Sequence, residues 1–403
     1  MSTQANRSEL WSPEARIDPM PVIAQLRQEA PVVRQFNPHQ GAPVWLVTRY
    51  KESVEFLRDP RFIKDKEKLS PTARNLYFRV SEFAALDRHM LNQDPPAHTR
   101  LRALIGKAFT PRRVEALRPR IAALCHQLLD TLQPQGSMEL ISAFAFPLPI
   151  TVIAEMLGVP REDHVRFREW VTIIFTPAVG GDFEPLRRAA KELHLYLTDF
   201  LARRRAEPGD DLTSALISAE EQGAHLTSEE LLAMVFLLMV AGHETTVNLL
   251  SSGMRALLEN PEQLQRLRSN PALIDPAVEE LLRYCGPVKT TTPRFALEEL
   301  EFAGQRIPAE EMIVSLLLST GRDPEQFTDP DRLDLTRSPN RHIAFGFGMH
   351  FCVGAPLARL EASIAFPILL ERLPKVRLAV PASELRWRNN LLMHGMEKLP
   401  LAF

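Results

Sequence analysis

One long helical pattern constrains this chain more than any other feature. Thr227-Ser228-Glu229-Glu230 fits a capping box, in which a hydroxyl and a carboxylate satisfy the first free amides of a helix. Apolar residues then run from Leu231 to Val240, and helical character persists to Glu259, where Asn260-Pro261 stops it. About 32 residues at 1.5 Å each make a rod of roughly 48 Å. The apolar run is shorter than the roughly 20 residues that span a bilayer. The pattern therefore predicts a central, buried helix.

A rod of that length needs a large body around it, and 403 residues supply one. With 48 Lys+Arg against 50 Asp+Glu, the net charge of −2 gives no reason to expect nucleic acid or an anionic membrane as partner. Cys125, Cys285 and Cys352 are too few for a disulfide scaffold and point to a reducing compartment. The stretch from Met1 to Arg7 lacks the apolar run of a signal peptide. A soluble, cytoplasmic protein is expected. Prolines, 33 of them, spread along the chain as helix starters and stops.

The expected fold class is mainly α with a small β-rich part. Pro43 to Tyr50 is β-branched and aromatic, and a helix is expected over Lys51 to Arg58. Strand signals return between Arg294 and Leu318, where Gly304 sits in a turn and Met312 to Leu318 is a buried run. No linker composition marks a boundary, so residues 1–403 are expected to form a single domain. Its β-rich portions fall near 30–50 and 290–320, and its helical core near 95–285 and 354–372.

The long helix carries polar residues in a poor place for them. Ala241-Gly242-His243-Glu244-Thr245-Thr246 interrupts its apolar course, although an interior Gly costs roughly 1 kcal/mol against Ala and a buried carboxylate needs a partner. One explanation is an exposed patch or a local bend. The other is a helix opened so that a small ligand and a proton-handling pair fit beside it. A zinc-protease H-E-x-x-H fails, because Val247 stands where the second histidine belongs.

The densest signal is Phe345-Gly346-Phe347-Gly348-Met349-His350-Phe351-Cys352-Val353-Gly354. It is no dinucleotide fingerprint, since Phe351 takes the place of the third glycine. Covalent haem attachment is also excluded, because Ala122 precedes Cys125-His126 where C-x-x-C-H needs a first cysteine. A lone cysteine among apolar residues is ordinarily a small core residue. Here three glycines surround it and a helix begins directly after, an arrangement that lowers a thiol pKa. The loop is suited to holding an anionic sulfur against a metal.

Phe345 to Gly354 resembles the haem-binding signature of the cytochrome P450 monooxygenases, F-x-x-G-x-H-x-C-x-G, at every fixed position. Glu280-Leu281-Leu282-Arg283 matches the family's E-x-x-R pair, and Ala241 to Thr246 matches its oxygen-activation segment. Asp94-Pro95-Pro96-Ala97-His98-Thr99-Arg100-Leu101-Arg102 resembles the D-P-P-x-H-x-x-x-R element of soluble bacterial members. The likeness runs from about residue 20 to the end.

The resemblance implies a fold, a cofactor and a set of roles. The P450 fold is a large helical domain with a long central helix and a small β-rich subdomain. Cys352 would be the axial thiolate of haem b, with Ala241, Phe345, Gly346 and Gly354 beside the cofactor and His98, Arg102, Arg294 and His350 on its propionates. Glu244 and Thr245 would be the acid–alcohol pair, Thr245 hydrogen-bonding dioxygen and Glu244 relaying protons from solvent. Glu280 and Arg283, three apart on one helix, would form a structural pair joined by Arg332, with Leu333 where the family usually has Phe. Pro367 is expected to kink or end the helix after Cys352.

Electrons would come from outside, because the roughly fifty residues after Cys352 are too few for a fused flavin or ferredoxin domain. Arg100, Arg102, Lys107, Arg112 and Arg113 form an acid-free segment where a ferredoxin or flavodoxin, served by an NAD(P)H reductase, would dock. The pocket would be lined by Leu237, Val240, Ala241, Thr245, Val288, Thr291 and Leu392, under a lid from Leu76 to Leu91 and Thr176 to Asp182. The lining is apolar, as for a hydrophobic small molecule, and the overall pattern resembles members that oxidise polyketides and macrolides. A peroxide-driven peroxygenase and a non-catalytic haem sensor are the alternatives. The intact Glu244-Thr245 pair speaks against both.

Overall fold

The computed structural model describes residues 8–78, 81–175, 182–221 and 226–403. Its long helix runs Ser228–Glu259, the span its sequence predicts. Thr227 and Glu230 close the capping box reciprocally: Glu230 N–H donates to Thr227 Oγ1 at 3.1 Å, and Thr227 N–H to Glu230 Oε2 at 3.0 Å. By length and composition this helix could cross a membrane, yet most of it is buried inside the protein. Burial, rather than length, identifies it as a core helix.

The chain divides into two compact units, and the division on the long helix falls between Glu244 and Thr245. The first unit takes Met1–Phe62, Val114–Leu148 and Thr245–Phe403. Its main sheet runs in the order Val32–Asn37, Ala42–Val47, Met312–Ser315, Arg294–Ala296 and Phe62–Ile63. Val32–Asn37 and Ala42–Val47 pair antiparallel, with Val33 opposite Leu46. Ala42–Val47 then lies parallel to Met312–Ser315, Leu46 opposite Val314. Trp45, Val47, Phe56, Phe62, Phe302 and Ile313 pack into one apolar core under the sheet. The hairpin Leu300–Phe302 to Gln305–Ile307 turns at Gly304, whose φ of 77° suits glycine.

Beside this sheet stand the helices Tyr50–Arg58, Arg118–Leu132, Ile274–Cys285 and Ala355–Arg372. The last packs against Arg118–Leu132 and Ile274–Cys285. Of the kink or early end expected at Pro367, the early end does not occur: the helix continues to Arg372. Pro367 removes one amide, while Phe366, Leu369 and Leu370 stay buried on both sides of it, and that packing carries the helix through. A second sheet was not expected from sequence: Pro400–Ala402 sits between Ser137–Glu139 and Arg377–Leu378.

The second unit, Ile63–Arg113 and Pro149–Glu244, is helical. It holds Ala97–Ala108, His164–Phe175, Glu184–Ala206, Leu212–Glu221 and the first half of the long helix. Its core includes Phe167, Leu193, Leu197, Phe200 and Leu231. Of the two expected lid segments, Leu76–Leu91 contains the end of the helix Pro71–Tyr77 and a turn at Ser81–Phe83. Residues 176–181 of the other lie outside the described residues.

Candidate active site

In the first unit the loop Phe345–Gly354 folds back on itself. Cys352 N–H donates to the Phe345 carbonyl at 3.0 Å, Gly346 N–H to Ile343 at 2.8 Å and Phe351 N–H to Gly348 at 3.0 Å. Gly346 and Gly348 take φ values of 74° and 73°, the left-handed region that favours glycine. A Cβ on Gly348 would also stand 3.2 Å from the Leu57 carbonyl oxygen. These turns leave Cys352 exposed, unlike the buried Cys125 and Cys285, whose thiols burial pushes up to about 12. The helix Ala355–Arg372 starts three residues after Cys352, with Pro356 in its first turn.

Arg294 is buried in the same unit, its Nη2 donating to the Leu57 carbonyl at 3.1 Å and its guanidinium over the Phe56 ring. His350 is half-buried at the end of the turn Gly348–His350. Val288 and Leu392 lie in the same unit on two segments, 287–290 and 390–394, that pair with each other. Val288 bridges Met393, and Lys289 N–H donates to the Leu392 carbonyl at 2.8 Å. Thr291 Oγ1 accepts from Ser315 N–H at 3.0 Å.

The E-x-x-R pair is a fully buried, fork-to-fork ion pair. Arg283 Nε and Nη2 each lie 2.7 Å from a Glu280 oxygen. Glu280 also accepts from Asp334 N–H at 2.9 Å, Asn340 Nδ2 at 3.1 Å and Arg337 Nε at 3.1 Å. The third member of the cluster is thus Arg337, not Arg332. The side chain of Arg332 is exposed, and only its backbone carbonyl takes part, accepting from Arg283 Nη2 at 3.1 Å. Leu333, where Phe was expected, is buried.

In the second unit His98 is buried near the start of Ala97–Ala108, with Arg102 half-buried one turn on. Asp94 of the same motif ties down a neighbouring loop, accepting from Lys64 N–H at 3.0 Å, Asp65 N–H at 3.2 Å and Lys68 Nζ at 3.0 Å. Arg100 is not available for docking as expected: both its Nη groups bind the Glu230 carboxylate of the helix cap. Arg112 and Arg113 are exposed. Lys107 lies on the helix, its side chain outside the described residues.

On the long helix Leu237, Val240 and Glu244 are buried, Thr245 is half-buried and Ala241 is exposed. His243 is buried; its Nδ1–H donates to the Met239 carbonyl at 3.0 Å, and its ring meets Phe167 edge-on. Burial lowers the His243 pKa against the pull of Glu244, so the imidazole is neutral. Gly242 serves packing: an added Cβ would stand 2.7 Å from Ile153 Cγ1. The glycine makes room for Ile153 rather than simply for a ligand.

A Cytochrome P450 family model matches residues 27–376. The chain belongs to the cytochrome P450 family. It is 46% identical over 388 residues to the cytochrome P450 monooxygenase PikC of Streptomyces venezuelae, covering 95% of this chain and 91% of that protein. It is 39% identical to the 6-deoxyerythronolide B hydroxylase of Saccharopolyspora erythraea, covering 98% of each. Among solved structures, a myxobacterial P450, CYP267B1 in complex with myristic acid, superposes with a TM-score of 0.95 at 46% identity and 98% coverage of both chains.

Members of this family bind haem b through a cysteine thiolate, and this P450 is a haem-thiolate monooxygenase. It uses dioxygen, a hydrophobic substrate and electrons from a redox partner. Its residues fit the cofactor. Among the described residues no three His, Cys, Asp or Glu side chains gather as metal ligands. A single exposed thiol suits a metal that arrives in a macrocycle with its own nitrogen ligands. Buried Arg294 and His98 are the donor types that carboxylates need.

Proposed function

We propose that this P450 hydroxylates or epoxidises a hydrophobic secondary metabolite of polyketide or macrolide type, in the cytoplasm. The observation that carries this reading is its 42% identity over 388 residues with the polyketide biosynthesis cytochrome P450 PksS of Bacillus subtilis. Likeness to a mycinamicin IV hydroxylase/epoxidase and a 6-deoxyerythronolide B hydroxylase adds to it.

Cys352 would hold the haem iron through its thiolate, and Phe345, Gly346, Gly354 and Ala241 would lie beside the cofactor. His98, Arg102, Arg294 and His350 take the propionates as cationic or hydrogen-bonding donors. When bound, the haem supplies the oxidative chemistry that no side chain can. Thr245 offers its hydroxyl to dioxygen as a hydrogen-bond donor, and Glu244 passes protons to the same place. Leu237, Val240, Val288, Thr291 and Leu392 orient the substrate and exclude water. A ferredoxin or flavodoxin delivers electrons at the face that carries Arg112 and Arg113. Dioxygen rather than peroxide is the oxidant, because the acid–alcohol pair is intact.

The test begins with the absorption spectrum of dithionite-reduced protein under carbon monoxide. A strongly red-shifted Soret band, lost in Cys352→Ala, supports thiolate ligation by Cys352; its absence in the parent overturns that assignment. A panel of macrolactones and fatty acids is then titrated for the low-to-high spin shift. Macrolactone binding supports the substrate class. Response to fatty acids alone, as the myristic acid complex of CYP267B1 allows, replaces it.

A further inference from the structure

Next to Glu280 on the helix Ile274–Cys285 stands a second glutamate with different partners. Glu279 accepts from Arg359 at both oxygens, Nε to Oε1 at 2.6 Å and Nη2 to Oε2 at 2.9 Å. The same Oε2 lies 3.1 Å from His342 Nε2. Ala344 N–H donates to His342 Nδ1 at 3.2 Å, so Nδ1 is the acceptor and Nε2 carries the proton toward Glu279. The ring is thus held in one orientation between Ala344 and Glu279.

This cluster packs against the Phe345 ring of the cysteine loop. The Arg359 guanidinium lies 4.5 Å from the centre of the Phe345 ring, and the His342 ring stands 6.3 Å from it. Phe345 in turn holds Cys352 through its carbonyl. Arg359 also lies in the first turns of the helix that follows Cys352. Burial works to raise the Glu279 carboxyl, but its bonds to Arg359 and His342 outweigh that and hold it at about 2. The bond to the Glu279 carboxylate raises the Arg359 pKa against the effect of burial, and Cys352 adds a smaller push the same way.

We propose that Glu279 is a positioning residue for the haem ligand: by binding and neutralising Arg359, with His342 fixing its orientation, it sets how strongly the Cys352 sulfur donates to iron. An unneutralised guanidinium near the sulfur would draw its charge away and favour the reduced, more negative centre. With Glu279 in place, that pull is balanced and donation stays strong. The inference rests on Cys352 being the thiolate ligand.

The test is a mediated redox titration of the haem-loaded full chain, with small-molecule dyes so that no protein partner enters. Glu279→Gln moves the one-electron equilibrium about tenfold toward the ferrous form, or about 59 mV. Arg359→Gln, leaving the carboxylate uncompensated, moves it several-fold toward the ferric form. The double variant returns to within about threefold of the parent, and Glu279→Asp stays there too. Opposite signs are decisive, because mere loosening of the loop drives both single variants the same way. Shifts of one sign, or none, overturn the proposal. If Glu279→Gln loses its haem, Arg359→Gln decides alone: a ferric shift supports the proposal and no shift overturns it. A parent without the red-shifted carbon monoxide band overturns the Cys352 assignment and this inference together. A parent with that band and unshifted variants overturns only the inference.

Discussion

Arg337 brings its Nε to within 3.1 Å of Glu280 Oε1, five residues farther along the chain than the arginine the motif singles out. Its other nitrogens bind the carbonyls of Thr328, Asp329 and Arg332, so one side chain ties the loop before the cysteine to the buried Glu280–Arg283 pair. Breaking such a pair strands a charge in the core, which costs about 3 to 5 kcal/mol. Glu280→Ala is expected to lose stability in that range and to shed haem. Arg337→Ala loses less, and Arg332→Ala, whose exposed side chain joins nothing in the cluster, stays within about 0.5 kcal/mol of the parent. Urea unfolding of the three variants reads this order directly.

Thr245 and Glu244 should separate binding from coupling. Thr245→Ala is expected to keep the carbon monoxide spectrum and the substrate-induced spin shift while diverting reducing equivalents to peroxide. Glu244→Gln, which removes the proton donor, lowers turnover about 100-fold or more. Stoichiometry of NAD(P)H, product and peroxide checks both. Unchanged coupling in Thr245→Ala removes that residue from oxygen handling.

How much was legible without coordinates depends on how local each feature is. Thr227 caps and Pro261 stops the long helix through neighbours in sequence, and both ends were readable. The E-x-x-R pair was readable for the same reason, its members three residues apart on one helix face. Arg337 was not, because the path of the loop between Leu333 and Asn340 decides which arginine reaches Glu280. Nor was the strand Pro400–Ala402, whose partner Ser137–Glu139 is far away along the chain. Arg100 read as a docking cation, and only its meeting with Glu230 in the helix cap removes it.

Gly242 offers a test of packing against opening. Its missing Cβ is the space that Ile153 occupies. Gly242→Ala gains about 1 kcal/mol of helix propensity but overpacks a half-buried position against buried Ile153, which costs about 1 to 3 kcal/mol. A net loss of up to about 2 kcal/mol is expected, and a much smaller one when the same change is made in an Ile153→Ala background, where Cγ1 and Cδ1 are both gone. Equal losses in the two backgrounds would mean that Ile153 is not what the glycine accommodates.

Arg112 and Arg113 are exposed, and the proposed docking of an acidic electron donor places it on their face. Reversing both to Glu should slow the first reduction by a ferredoxin about tenfold at low salt, with the difference shrinking as salt rises. Stopped-flow reduction under carbon monoxide measures it. Rates indifferent to both charge and salt would place the docking face elsewhere.

Glu361 makes the protein's stability depend on pH. It lies on the helix after the cysteine loop, fully buried, and burial pushes its carboxyl up to about 8, against the pull of the Thr246 hydroxyl. The unfolded chain releases the same proton near 4.5. Between those values the folded state holds a proton that the unfolded state has lost, so stability falls as pH rises. The contribution is fully present below about 4.5 and gone once pH passes about 8, a loss on the order of a few kcal/mol. Glu361→Gln mimics the protonated form and cannot ionise. Its melting temperature should match the parent near pH 4, exceed it by a margin that grows up to about pH 8, and keep that margin above. Parallel curves across that range would mean that Glu361 is ionised in the folded protein, with a cation or bound water compensating it.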